Sequence, residues 1–247
     1  SNISLPDVVF GSDITADNST TYMSFFSQMD TYGDGYAGIG VWRAAFKPLV
    51  DRIADTDIRL QWFCCDRSTG VTDASGNRIT LIRDTQSPVA VEYQAVKFIG
   101  TGRDNIKAGV FSGWELGDYI YLRSEEAYMI KMEALAHKGS AEAVTELNSF
   151  MKTRQPDYNY TFTNKADLIE EIIYQKRVEF WGEGLEYIDN RRLNIPVDRT
   201  DETWGAENNN HFSAGKFRYN QEDRPFLYQL PLSEIENNSQ LSPSDQN

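Results

Sequence analysis

The strongest constraint on this chain is a pair of helical runs separated only by the turn around Lys138–Ser140. From Tyr119 to His137 the apolar residues Tyr119, Ile120, Leu122, Ala127, Ile130, Ala134 and Leu135 recur at three- and four-residue steps. From Ala141 to Lys152, Val144, Leu147 and Met151 do the same. Such spacing lines one face of a helix. Gly139 is placed to close the first helix and Ser140 to cap the second. Helices joined by so short a turn pack as an antiparallel hairpin. One hairpin cannot bury its own face, because stacked helix pairs need about three units to enclose a core. Further helices are therefore required, and one follows directly. Asn164 is a good N-cap with Asp167 three residues later, and an apolar stripe runs through Leu168, Ile172 and Phe180. Asp167, Glu170 and Glu171 occupy its first turns, where the helix dipole favours negative charge, and Gly182 and Gly184 end or kink it. The expected fold is mainly α: tetratricopeptide-like helix pairs (an α/α superhelix) with long irregular loops and a few short strands.

Upstream the pattern changes. Val8-Val9-Phe10 reads as a short strand, and residues 11–40 form a long loop with five glycines and the aromatics Tyr22, Phe25, Phe26, Tyr32 and Tyr36. Loops of that length are usually functional or packed by their own side chains. Helical spacing returns from Val41 to Ile53, broken by Pro48. Asp57 to Phe63 alternates as a strand would, and Thr72 to Asn77 reads as a turn. At the other end, Asn208-Asn209-Asn210 marks a loop, Pro225 and Pro231 flank the apolar run Phe226–Leu230, and the polar tail from Glu236 is expected to fray. The chain thus divides into a loop-rich segment with short strands, 1–117, expected to present the ligand surface, and a helical region, 118–247.

Charge narrows the partners. With 37 acidic and 24 basic residues the net charge is −13, and no local Lys/Arg cluster offsets it. Phosphate backbones and anionic lipid surfaces repel such a chain, so nucleic acid is excluded while neutral sugars or peptides fit. The two cysteines, Cys64 and Cys65, are adjacent and read as free thiols, since a disulfide between neighbours is strained. His137 and His211 lie far apart with no ligand-like spacing, so no metal or cofactor is expected. No apolar run reaches the roughly 18 residues of a membrane span. Ser1-Asn2-Ile3-Ser4 has no basic start, apolar run or cleavage site, so no signal peptide is expected, and no cysteine is placed to carry a lipid.

Several chemistries can be tested on the residues. Glu179, Glu183 and Glu186, with Asp189 beyond, fall near one helical face and tempt a paired-carboxylate glycosidase reading. Arg177, Arg191 and Arg192 stand nearby as partners, and a carboxylate beside arginine has a lowered pKa, which is wrong for a general acid. No G-x-S-x-G elbow accompanies either histidine. Gly33-Asp34-Gly35 and Gly38-Ile39-Gly40 lack the Lys-Ser/Thr of a phosphate loop, and Asp13, Asp30 and Asp34 lack the spacing of a calcium loop. What remains is aromatic. The chain has 13 Tyr, 13 Phe and 5 Trp, more than a plain helical bundle needs. Sugars stack their C–H faces on Trp and Tyr rings, while Asn, Gln, Asp and Arg bond the hydroxyls. The segment Tyr32, Asp34, Tyr36 and Trp42 supplies that mixture among glycines; Trp62 and Trp114 are second choices.

Ordered motifs then point to a family. Asp118 to Leu135 (DYIYLRSEEAYMIKMEAL) resembles the D-x-I-x-L-R-x-A-E-x-Y-L-x-x-A-E-A helix of the RagB/SusD family, with Ser124 in place of the usual Ala. Leu147 to Arg154 is similar to its L-N-x-V-R-x-R, and Ile172 to Gly184 to its I-x-x-E-R-R-x-E-L-x-x-E-G. Asp189 to Arg192 resembles D-L-x-R, and Leu230 to Ile235 the terminal I-P-x-x-E-I. The chain departs from the pattern at Gln175 and Lys176, usually Glu-Arg, and at Glu186, often Arg. Val9-Phe10 and Asp57–Leu60 fit the family's middle region less tightly.

The resemblance implies a non-catalytic receptor of the Bacteroidetes outer membrane. Such a receptor binds an oligosaccharide or polysaccharide at the cell surface, with aromatics on loops, and delivers it to a SusC-like TonB-dependent transporter. It also implies that this is the C-terminal portion of the family fold, with the N-terminal half and its lipid-anchor cysteine preceding Ser1. Residues 179–192 are then expected to lock the last helices onto the preceding hairpin. Two rivals are a tetratricopeptide-type peptide-interaction scaffold and, less favoured, a glycoside hydrolase.

Overall fold

The computed structural model describes residues 4–15, 17–18, 24–30, 35–37, 41–65, 92–98, 117–223 and 228–245. In chain order come β1 (Val8–Ser12), α1 (Phe25–Met29), α2 (Lys47–Asp51), a 3₁₀ helix (Ile58–Trp62), β2 (Phe63–Cys64) and β3 (Gln94–Ala95). Next are β4 (Tyr119–Arg123), α3 (Ser124–His137), α4 (Glu142–Met151) and α5 (Lys165–Glu179). The chain closes with α6 (Leu185–Arg192), β5 (Val197–Asp198), α7 (Asp201–Trp204), β6 (Arg218–Tyr219) and α8 (Leu232–Asn237). These elements fall into two units, Ser1–Glu179 and Phe180–Asn247.

In the first unit α3 packs on both α4 and α5. The turn between α3 and α4 is built as the sequence predicts. Gly139 takes φ +72°, its N–H bonds to Ala136 O at 3.0 Å, and Ser140 N–H bonds to Leu135 O at 3.0 Å. That is a Schellman closure, which needs a left-handed residue at Gly139's place. Asn164 caps α5 through its Oδ1, which accepts from Asp167 N at 3.0 Å, while its amide donates back to Asp167 Oδ2 at 2.7 Å. The core between the helices is Met129, Met132, Ala143, Leu147, Met151, Leu168, Ile172 and Val178, all buried. Burying each large apolar side chain contributes about 1.5–3 kcal/mol.

Four expectations are corrected. Tyr119 to Arg123 is a strand, not the first turns of α3, because β1 pairs with it antiparallel, from Val8 opposite Arg123 to Ser12 opposite Tyr119. Local periodicity cannot register a partner more than a hundred residues away. The buried face of α3 is Met129, Met132, Glu133 and Ala136, while Ala127, Ile130 and Ala134 are exposed. A charge tolerates that buried face because Glu133 meets Lys176 of α5 at 3.4 Å. The helix expected over Val41–Ile53 is confined to Lys47–Asp51, with Pro48 in its first turn, and Ala44 bridges instead to Gln94. The strand expected over Asp57–Phe63 is a 3₁₀ helix over Ile58–Trp62, with only Phe63 in a strand, since the Asp57 carboxylate caps Arg59 N at 2.8 Å and turns the chain inward.

In the second unit β5 pairs with β6, and Asp198 organises the turn between them. Its carboxylate accepts from Thr200 N at 3.0 Å, Thr203 Oγ1 at 2.7 Å and Arg218 at 2.6 Å. Asn194, at φ +54°, ends α6 with a second Schellman closure, Ile195 N to Asn190 O at 2.9 Å. The tail beyond Glu236, expected to fray, carries one more 3₁₀ turn at Pro243–Asp245, held by Ser242 N to Asp245 Oδ2 at 2.7 Å. The turn expected at Thr72–Asn77 lies outside the described residues, as does part of the Phe226–Leu230 run.

Candidate functional site

Three backbone segments assemble the candidate surface. The first begins at α1, where Ser24 Oγ caps Ser27 N at 3.0 Å. Ser27 in turn anchors the next loop: its carbonyl accepts from Ala37 N at 2.9 Å and its hydroxyl from Tyr36 N at 3.4 Å. The two strands of chain touch at Gly35, where a Cβ would lie 2.3 Å from Ser27 Oγ and 2.6 Å from Ser27 Cα. Glycine is required there by close approach. Val41 N–H then bonds to Tyr36 O at 3.0 Å, bringing Trp42 to the same loop. Arg43 pins the exit, donating to Gln28 Oε1 at 3.1 Å and to Val41 O at 3.2 Å.

The second segment, residues 92–98, runs between the first and the third. Ala95 N bonds to Arg43 O at 2.7 Å and Ala45 N to Tyr93 O at 2.9 Å on one side. Tyr93 N bonds to Cys64 O at 2.9 Å and Val96 N to Trp62 O at 2.8 Å on the other. Tyr93 sits at φ +61°, a backbone that costs a non-glycine residue on the order of 1–3 kcal/mol. Its two backbone bonds and a hydroxyl bond to Asp51 Oδ1 at 2.9 Å hold it there. Cys64 and Cys65 are buried beside it, both outside any disulfide.

Of the predicted site residues, Tyr36 and Trp42 come together on this anchored loop, exposed by 40% and 42%. Trp62 joins through the middle segment, half-buried, with the Lys97 ammonium 4.8 Å from its ring centroid. Cation and ring attract at that distance. Tyr32, Asp34 and Trp114 lie outside the described residues.

The same lysine leads to the electrostatic centre behind the surface. Lys97 Nζ donates to Glu179 O at 2.7 Å, at the C-terminal end of α5, and Arg123 donates to the same carbonyl at 2.9 Å. The Glu179 carboxylate is 1% exposed as a residue. It receives Arg154 at 2.9 Å, Arg123 at 3.0 Å and Arg59 at 3.3 Å. Arg59, itself 1% exposed, also meets Asp57 at 2.7 Å and Gln175 Oε1 at 2.5 Å. Glu125 completes the ring with Arg123 and Arg154, both at 3.3 Å. Burial alone would raise the Glu179 pKa; the Arg154 hydrogen bonds and the charges of Arg59, Arg154 and Arg123 outweigh it and hold the pKa at about 2.

The sequence offers Arg177, Arg191 and Arg192 as partners for the acidic run Glu179, Glu183, Glu186 and Asp189; Arg192 does pair with Asp189, at 2.7 Å, whereas Glu179 meets Arg59, Arg123 and Arg154. A usable signal was present. Arg123, Glu125, Arg154 and Glu179 all fall inside the three motif segments, and the fold brings those segments to one point. The departures Gln175 and Lys176 keep polar roles there, toward Arg59 and Glu133. Among the described residues no cluster of His, Cys, Asp and Glu is arranged to hold a metal ion.

Helix pairs of tetratricopeptide type, tied at their ends by buried ion pairs and supporting irregular loops, define a helical scaffold class. The SusD family's sequence model matches residues 93–247, and the chain belongs to that family. A SusD-like carbohydrate binding protein from Bacteroides vulgatus has a similar structure, with TM-score 0.66 and 19% identity over 97% of this chain and 49% of its own. A SusD-like protein from Bacteroides fragilis is similar at TM-score 0.57 and 20% identity, over 100% of this chain and 55% of its own. The chain thus spans about half the length of the solved structures it matches. No curated protein matches it.

Proposed function

We propose that this chain is part of a non-catalytic receptor that binds an oligosaccharide or polysaccharide at the cell surface and delivers it to a SusC-like TonB-dependent transporter. One observation carries the reading. Tyr36 and Trp42 stand half out of the surface on a loop whose backbone is bonded at both ends, so two flat apolar rings are presented at little ordering cost. We extend the platform to Tyr32, Asp34, Trp62 and Trp114, with residues 1–117 as the ligand-facing segment and 118–247 as its scaffold. Family membership, and a similar structure that is itself named a carbohydrate binding protein, support the same reading.

Capture without bond-breaking needs only stacking and hydrogen bonds, and a micromolar-to-millimolar affinity, roughly −8 to −4 kcal/mol, suffices. Glu179 supports the non-catalytic reading: a carboxyl of pKa about 2 surrounded by arginines holds no proton to give at neutral pH. No helix among the described residues is long and apolar enough to cross a membrane. Attachment to the outer membrane through an N-terminal lipid, as in the family, is part of the proposal. The test is affinity electrophoresis of the protein in gels loaded with different soluble polysaccharides, beside Trp42→Ala and Trp114→Ala. Retardation by one glycan, lost in a folded variant, supports the receptor; no retardation by any glycan moves the reading to a peptide scaffold.

A further inference from the structure

A cleft of 430 Å³ opens elsewhere in the first unit, between the turn after α2, the α4–α5 connection and α5. That volume is within the range of small-molecule sites, about 300–1,000 Å³. Its walls carry three tyrosines, Tyr158, Tyr160 and Tyr174. The α4–α5 connection is fixed rather than loose: Asn148 clamps the Tyr160 backbone, accepting from its N–H at 2.7 Å and donating to its carbonyl at 3.0 Å. Ile58 N–H bonds to Arg154 O at 2.9 Å and closes the other side.

The charged groups of the cleft are already engaged. Glu171 takes Arg52 at 2.6 Å, the Tyr158 hydroxyl at 2.9 Å and the Gln175 amide at 2.7 Å. The Arg52 guanidinium carbon stands over the Tyr174 ring, 3.9 Å from its centroid. Asp57 is bound to Arg59, and Asp157 accepts from Thr56 Oγ1 at 2.6 Å. Burial, reinforced by Glu171, raises the Tyr158 pKa, and burial raises that of Tyr174, so both hydroxyls stay neutral. Two polar groups are left over. The Asn159 side chain is exposed and makes no hydrogen bond among the described residues. The Tyr160 hydroxyl is buried with no partner among them, an unpaired state that native structures seldom keep. An ion would find its counter-charges consumed. A neutral ring with apolar faces and hydroxyl edges would find aromatic walls and spare neutral donors and acceptors.

We propose that this cleft is a second binding site, taking a neutral polyhydroxylated ring of pyranose type. The preference for such a ring rests on the cleft alone; making it a unit of the same glycan rests on the receptor reading above. The probes are methyl α-glucoside, methyl α-mannoside and methyl α-galactoside, titrated by calorimetry and by NMR of the tyrosine ring protons. Native protein, Asn159→Ala, Tyr160→Phe and Trp42→Ala are compared. The expected result is millimolar binding of at least one glycoside that shifts tyrosine resonances and persists in Trp42→Ala. Asn159→Ala should weaken it at least fivefold. Tyr160→Phe should weaken it while its melting temperature stays level or rises, since an unpaired buried hydroxyl is removed. The proposal is overturned if none of the three glycosides binds, if binding ignores both cleft substitutions, or if methylammonium displaces the glycoside. Loss of glycoside binding in Trp42→Ala alone also overturns it, and leaves the receptor reading intact.

Discussion

The Glu179 centre and the Tyr36–Trp42 loop are joined through Lys97 and the Trp62 segment, yet they are built on opposite principles. At Glu179, groups that would be costly to bury singly are buried together, each polar atom answered by another. On the loop, Tyr36 and Trp42, which would gain by burial, are held partly out in solvent by the hydrogen bonds beneath them. The first arrangement spends side chains on position. The second positions the loop with backbone bonds and the Ser27 and Arg43 side chains, and turns its aromatic rings outward. Substitutions should therefore separate cleanly: stability responds at one pole and binding at the other.

The largest break comes at Glu179. Glu179→Gln leaves Arg59, Arg123 and Arg154 facing one another without their common anion, and removing one partner of a buried ion pair costs about 3–5 kcal/mol. Urea denaturation should show that loss as a lower midpoint at unchanged slope. Acid probes the same group without mutation. Its folded pKa of about 2 lies below the ordinary 4.5, so the ionised form stabilises the fold fully above pH 4.5, and that contribution is lost as pH falls toward 2. The shift corresponds to on the order of 3 kcal/mol. Denaturation curves between pH 5 and 2 should fall by about that amount in the native protein and less steeply in Glu179→Gln.

These helices were the legible part of the molecule. Leu147 and Met151 at helical spacing, the Asn164 cap and the Gly139 closure are local signals, and each is found where the residues place it. What the residues could not give is pairing across distance. Tyr119–Arg123 alternates no worse as a helix turn than as a strand until β1 is brought beside it. Asp57–Phe63 alternates like a strand, but Arg59 must reach Glu179, 120 residues away, and the 3₁₀ helix takes it there. The candidate loop was legible as composition, aromatics among glycines. Its rigidity depends on Ser27 and Arg43, which no periodicity marks. The tyrosine cleft escaped for the same reason, its walls coming from three separated stretches of chain.

Smaller effects sharpen the contrast. Gly139→Ala forces a side chain into φ +72° and should cost about 1–2 kcal/mol, read as a lower melting temperature with ligand binding intact. Asn164→Ala removes the α5 cap and should cost about 1 kcal/mol. Trp42→Ala, on the exposed loop, should move stability by less than about 0.5 kcal/mol while removing glycan retention.

The most direct measurement is calorimetric titration of the retained polysaccharide into native protein and into Trp42→Ala, with melting curves of both. The account predicts saturable binding to the native protein, no measurable heat in Trp42→Ala, and melting temperatures that coincide. Equal affinity in the two proteins, at equal stability, would contradict the claim that this loop captures the ligand.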